Sequence, residues 1–364
     1  MPTIEAPEPL GFRPIHEFAL PAGLPSREAR PAAIRAAAGV LRDRLRGAGP
    51  IRFVRTVDLV TVPYPAQLAL GGSGRIARPL ISLVGRFVIV GFEAFSGELR
   101  TLAWEPTRAE SLMATGFYSR LSSRYGFGPA RPFAPRQLYT VPAALARCGL
   151  RTDDVDFVAF GDLRGHDLRT VAGTVRPPVD AQQPRAPLFA NARVLIQRLE
   201  LETVGAPHPV QEQWYLPSLL DDVAESRIVA LDGDVELGVG VAIIATPGRT
   251  IGHQSLVLRT PDGIWVVSGN GVASDCWQPL LSKIPGVRSG AEVDGREAIL
   301  DAAAENMLDL HDSMVKEKSL AGVSRVDPRW QTILPAREVV GSRRQWPLVP
   351  TFSHGGVAGG DYPS

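Results

Sequence analysis

The sequence predicts an α+β fold in which two mixed β-sheets face each other and helices lie outside them. Three patterns point that way. Strand-like segments come in two groups, Ile51 to Pro106 and Ala192 to Gly271. Helical spacing falls between and after them. A short apolar run, Val155 to Phe160, empties directly into the polar loop GDLRGHD, and a buried strand ending in such a loop is where α/β proteins place their chemistry.

In chain order, residues 1–50 form an extension expected to pack on the main body. After a proline-rich start comes PSREARPAAIRAAAGVLRDRLRG, whose Ser26 and Glu28 open a helix with Leu41 and Leu45 on its apolar stripe. IRFVRTVDLVTVPYP alternates β-branched and polar residues as a half-buried strand does, and RFVIVGFEAF and ELRTLAWEP follow as strands turned at Ser96-Gly97. Helices are expected from Ser111 to Arg120 and from Val141 to Cys148. The second group, ARVLIQ, SRIVALDGD and the run from Val239 to Gly271, turns at Asp232-Gly233 and Pro261-Asp262-Gly263. A helical segment over 290–320, as one long helix or two short ones, puts Leu300, Met307, Leu310 and Met314 on one face. An irregular tail spans 345–364, and the body proper is a single domain over 51–364. GSGRIARP at Gly72 lacks the strand-to-helix context of a phosphate loop.

Composition bounds the function. A 45% apolar and 21% charged chain is an ordinary globular one, and 39 basic against 38 acidic residues, net +1, leave no field to hold a nucleic-acid backbone or an anionic membrane. The opening MPTIEAPEPLGF carries acids and prolines where a signal peptide needs a basic end and an apolar run. The apolar run near Leu80 to Phe92 is broken by Gly85 and Arg86 and is shorter than the ~20 residues that span a bilayer. A cytoplasmic protein without a nucleic-acid or membrane partner is expected. Cys148 and Cys276 lack CxxC spacing and read as two buried thiols.

Two stretches, VDFVAFGDLRGHDLRTVAGT and, about ninety residues later, IATPGRTIGHQSLVLRTPDGIWVVSGNG, resemble the signature regions of metallo-β-lactamase-superfamily hydrolases. SKIPGV, HDSMVKEK, WPLVPTFSHGG and EPLGFRPIHEFALPAGL are similar to the flanking phrases of a bacterial subgroup, so the resemblance spans nearly the whole chain. It implies a four-layer αββα sandwich with the site at one end. It also implies two zinc-type ions, held by imidazoles and carboxylates, that activate a water against an ester, lactone or amide carbonyl.

Laid on that pattern, most ligand positions are replaced. Asp162 and Arg164 stand where His-x-His would be, and His166 and Asp167 where Asp-His would follow. Arg249 takes the histidine position of Thr-Pro-Gly-His-Thr, His253 matches the second, structural histidine, and Asn270 replaces the bridging aspartate. His354 in TFSHGG matches the final histidine. Arginine stays protonated and offers no lone pair, so it cannot ligate an ion. Without ions, Arg164 and Arg249 are expected to pair with Asp162 and Asp167 through charge-assisted bonds, or to clamp the carboxylate or phosphate of a ligand.

Three readings follow. In the favoured one no metal is bound and the old site takes a small, possibly anionic molecule, or runs non-hydrolytic chemistry. His166, Asp167 and Asp162 are then the catalytic candidates, and Arg164, Arg249, His208, Trp214, Tyr215 and Asn270 the substrate-binding ones. In the second, one zinc, manganese or iron ion sits on Asp162, His166, Asp167 and His354 and the protein is a hydrolase. In the third it is a structural or interaction pseudoenzyme. Whether it is an enzyme stays open at this point; a homodimer is the base-rate expectation. His16 and His311 carry no role.

Overall fold

A computed structural model describes residues 10–24, 29–75, 79–126, 135–178, 181–340 and 348–361. The chain opens with strand β1 (Arg13–Pro14) and helices α1 (Ala19–Gly23) and α2 (Arg30–Gly47), followed by β2 (Phe53–Pro65), α3 (Ala66–Ala69), β3 (Leu80–Glu93) and β4 (Leu99–Trp104). Helices α4 (Ala109–Met113) and α5 (Gly116–Tyr125) lead to β5 (Arg136–Gln137), α6 (Val141–Ala146), β6 (Phe157–Ala159), α7 (Leu168–Ala172), β7 (Arg193–Gln197) and α8 (Arg198–Gly205). Then come β8 (Ile228–Leu231), β9 (Val235–Gly238), β10 (Val241–Ala245), β11 (Gln254–Thr260), β12 (Gly263–Ser268), α9 (Val287–Asp294), α10 (Met307–Leu320), β13 (Ile333–Pro335), β14 (Arg337–Val339) and β15 (Ala358–Gly359).

Both sheets are mixed. One runs β1-β9-β10-β11-β12-β13, antiparallel except for the parallel pair β12 and β13. The other runs β15-β2-β3-β4-β6-β7-β8, antiparallel at its start and parallel from β4 to β8, with β14 on β3 and β5 on β2.

Side-chain alternation builds the four layers. Val88, Val90, Leu102, Ala159, Leu195 and Val229 from one sheet share an apolar core with Val235, Val241, Ile243, Leu256, Leu258 and Val267 from the other. Their neighbours, Ile89, Ala103, Val158, Val194, Ala230, Ala242, Ile244, Val257 and Val266, point the opposite way into a core shared with the helices. Strands buried on both faces read as near-continuous apolar runs, as Val155 to Phe160 does. The predicted αββα sandwich is the observed architecture.

Helix α2 carries Pro31 in its first turn and buries Ile34, Ala37, Ala38, Leu41 and Leu45, one stripe at helical spacing, against α10 and β12. The predicted starters Ser26 and Glu28 lie outside the described residues. The helix expected over Ser111 to Arg120 is two, because the Thr115 hydroxyl accepts from the Tyr118 amide and caps a new helix there. The segment over 290–320 also divides: Asn306 caps α10 through its side chain, and Leu300 lies in the irregular run before it. Among the described residues no helix is long and apolar enough to cross a membrane.

Candidate functional site

Loops from the strand ends converge at one place. The end of β4 delivers Glu105, the end of β6 delivers Gly161 to Asp167, and the β10–β11 connection delivers Arg249 to His253. Gly269 and Asn270 follow β12, and Arg337 follows β13. Such strand ends leave a crevice in open α/β sheets.

Asp162 is the centre. Its Oδ2 accepts from Arg249 Nε at 2.7 Å and from Arg164 Nε at 3.4 Å, while Oδ1 accepts from the Arg164 amide at 3.0 Å. All three residues are buried. Burial alone would raise the Asp162 carboxyl, but the charges of Arg249 and Arg164 outweigh it and hold the group well below the usual carboxylate range. Burial lowers the Arg249 guanidinium, and the charges of Asp162 and Asp301 more than restore it. Arg249 Nη1 also donates to Gly269 O at 2.8 Å, and the Arg164 guanidinium lies 5.1 Å from the Trp214 ring centre.

Both arginines therefore serve one carboxylate, and Asp167 is held otherwise than expected. It caps α7 by accepting from the Arg169 amide at 3.1 Å, and it takes the side chains of Arg169 (2.8 Å) and Arg185 (3.1 Å). A capping carboxylate must turn back onto its own helix, so it cannot also orient the adjacent His166. His166 instead faces Glu105, with Nε2 3.3 Å from Oε2. Glu105 Oε1 accepts from the Gly161 amide at 2.7 Å, and its backbone sits at φ 59°, strained for a residue with a side chain. Burial would raise Glu105, yet His166 and the charge of Arg337 bring it down to about 2.

The remaining expected site residues divide. Trp214 belongs to the cluster: it stacks on Phe117 at 3.8 Å beneath Arg164. Tyr215 and Asn270 face buried glutamates instead, Tyr215 OH lying 3.3 Å from Glu200 and Asn270 Nδ2 2.7 Å from Glu317. His208 is exposed, its Nδ1 accepting from the Val210 amide. His354 does not join the others. Its Nε2 contacts Gln331 O at 2.9 Å and its ring packs on Trp265 and Phe352, because the tail lies along that side of the sandwich rather than turning into the strand-end loops.

Four contributors were not singled out from sequence. Glu105 follows directly on the end of β4 and Arg337 opens β14 two residues after β13 ends, and a place at a strand end is the signal that could have found them. Tyr64 donates to Asp301 Oδ2 at 2.9 Å, and Asp301 lies 3.9 Å from Arg249 Nη1; neither residue sits in a motif.

The resemblance implies metal ions, which need a group of imidazoles and carboxylates converging on one point. Among the described residues no three His, Cys, Asp or Glu side chains group so as to hold an ion. Asp162 is engaged by two guanidiniums, Asp167 by two others, His166 by Glu105, and His354 lies apart. Permanent cations beside the carboxylates repel a divalent ion, and the residues do not fit one.

Two buried titratable groups flank the cluster. His253 is 1% exposed, with Nδ1 on Thr246 and, among the described residues, no hydrogen-bond partner for Nε2. A Cβ at Gly161 or Gly269 would meet that Nε2 at 3.1 and 3.0 Å, so both positions admit only glycine without a shift. Burial depresses His253 to about 4. Glu200 accepts from the Leu163 amide (2.8 Å) and Thr250 Oγ1 (2.6 Å), and burial, then the charge of Asp162, push it up to about 7.

These shifts act on stability with opposite signs. Between 6.5 and about 4 unfolded His253 binds a proton that the folded ring refuses, so its contribution is lost as pH falls through that window, by about 3 kcal/mol in full. Folded Glu200 keeps a proton that the unfolded group loses above 4.5, so its contribution fades as pH rises toward 7. His253→Asn is expected to gain stability relative to the parent protein as pH drops from 6.5 to 4. Urea midpoints across that range check this, and parallel curves would refute it.

No family model matches the chain. It is 35% identical to an N-acyl homoserine lactonase of Bacillus sp over 72 residues, 20% of this chain and 26% of that protein. It is 33% identical to the N-acyl homoserine lactonase of Bacillus cereus over 72 residues, with the same shares. The match thus spans about a quarter of the length of these curated relatives. Among solved structures, a probable metal-dependent hydrolase from Staphylococcus aureus superposes with a TM-score of 0.50 at 12% identity, covering 80% of this chain and 91% of that one. At that identity the likeness speaks for the fold alone. The chain has the metallo-β-lactamase fold.

Proposed function

We propose that this chain uses its strand-end cluster to bind a small anionic molecule, or to act on it by metal-independent, non-hydrolytic chemistry. The observation that carries the reading is the pairing of Asp162 with Arg249 at 2.7 Å and with Arg164 on the same oxygen. We read these side-chain cations as standing where metal-dependent proteins of this fold would gather ligands. A guanidinium presents several N–H donors in a planar fork and suits carboxylate and phosphate oxygens. With Arg337, whose Nη2 lies 3.5 Å from Arg164 O, three such groups face one region.

Within this reading Arg249, Arg164 and Arg337 bind and orient the anion. The Trp214, Phe117 and Tyr64 rings exclude water from one side. The His166–Glu105 pair, with Nε2 3.3 Å from Oε2, is the proton-transfer candidate, since an imidazole facing a carboxylate is a usual acid/base pair. The reading of a single-metal hydrolase of a lactone or ester draws on the 72-residue likeness to lactonases.

Metal analysis and thermal unfolding separate the two. Prolonged dialysis against a chelator is expected to leave the melting temperature unchanged. Inorganic phosphate or benzoate is expected to raise it, by about 2.7 kcal/mol of stabilisation at a hundred times Kd, and Arg249→Gln should lose that gain. About one tightly held zinc, manganese or iron per chain, whose removal lowers the melting temperature, would overturn the proposal.

A further inference from the structure

The irregular run between α9 and α10 crosses the arginine cluster and carries an acid into it. Asp301, 3% exposed, accepts from Tyr64 OH at 2.9 Å and from the Ala303 amide at 2.9 Å, and Arg164 Nη1 donates to Ala303 O at 3.3 Å. Further along, the Glu305 amide donates to Arg249 O and the Asn306 amide to Gly248 O. Both guanidiniums thus lie beneath this strap, while Ala302, Glu305 and Asn306 face solvent on its outer side.

Arg249 treats its two acidic neighbours unequally. Asp162 receives a short bond from Nε, whereas Asp301 stands 3.9 Å from Nη1, beyond hydrogen-bonding distance, and Nη1 is spent on Gly269 O. Asp301 is therefore a charge partner without a bond. A free carboxylate that came within reach of this guanidinium would gain charge-assisted bonds that Asp301 does not make. Beside the acid stand Tyr64, Phe117 and Trp214, with Phe117 3.8 Å from Trp214 and Tyr64 6.0 Å from Phe117, a wall suited to a flat apolar body.

We propose that Asp301 is an internal stand-in for the ligand's acid group, and that an aromatic carboxylate binds by displacing it from Arg249 and Tyr64. This rests on the anion-binding reading above and adds to it the ligand class and the group that competes. The part to yield is the run 302–306, which is neither helix nor strand and exposes Ala302, Glu305 and Asn306.

Calorimetric titration with benzoate tests this on the full chain. Asp301→Asn keeps the shape and removes the competing charge, and it is expected to bind benzoate at least about tenfold more tightly than the parent, a change of about 1.4 kcal/mol. Adding Arg249→Gln to that variant should abolish the gain. In the parent protein, amide hydrogen exchange at Ala303, Glu305 and Asn306 should quicken when benzoate saturates it, a readout that needs no variant to fold. If the parent binds benzoate and neither the affinity of Asp301→Asn nor the exchange of the strap changes, the displacement is refuted while the anion site stands. If neither protein binds benzoate or phosphate, the anion-binding reading falls and this inference with it.

Discussion

Asp162→Ala is expected to lower the free energy of unfolding by about 3–5 kcal/mol, because it leaves two guanidiniums in the interior without the carboxylate that balances them. Arg249 loses its 2.7 Å charged bond and, among the described residues, keeps Gly269 O and a distant Asp301. Arg164 loses the bond from its side chain and the one to its own amide, so the loop from Leu163 to His166 is loosened as well. Guanidinium chloride unfolding measures the loss. The double variant Asp162→Leu with Arg249→Met should lose less than Asp162→Ala alone, since removing both partners of the 2.7 Å pair strands one guanidinium, that of Arg164, rather than two. A single variant within about 1 kcal/mol of the parent would mean that water or the strap acid already compensates Arg249, and the central pair would not be the organising contact of the site.

That expectation shows which parts of the molecule could be read in advance. Apolar β-branched runs bounded by turns located the strands, since each strand buries one face in the inter-sheet core and the other against the helices, as Val88 and Ile89 or Ile243 and Ile244 do. Helix boundaries were less legible: the break at Thr115 depends on one hydroxyl turning to cap a new helix, which periodicity cannot register. In the site, the motif positions placed Asp162, Arg164 and Arg249 together, because a residue at a strand end inherits its location from the sheet. Partner choice was not legible. His166 stands next to Asp167 in sequence but meets Glu105, because Asp167 is committed to the end of α7. Likewise Asn270 and Tyr215 lie near the arginines in the loops but spend their polar atoms on Glu317 and Glu200. Such pairings depend on side-chain direction across strands far apart in the chain, and sequence spacing carries no information about it.

The shape of the cluster depends just as strongly on a residue with no side chain. Gly252→Ala is expected to destabilise the protein by about 3 kcal/mol or more, at the upper end of overpacking effects. A Cβ there would lie 2.2 Å from the Glu200 backbone nitrogen and 2.4 Å from its Cα, and these are helix atoms that cannot rotate aside. The loop rests directly on α8 at this point, and that contact lets Thr250 Oγ1 reach Glu200 at 2.6 Å while Arg249, one residue earlier, turns into Asp162. Forcing the loop off the helix therefore disturbs both acids at once, so the loss in stability should be accompanied by loss of the stabilisation that phosphate or benzoate gives the parent protein. Urea unfolding with and without the anion tests both parts. A variant that unfolds within about 1 kcal/mol of the parent and still responds to the anion would show that the loop has room to lift, and the tight seat of Arg249 would have to be attributed to something other than this contact.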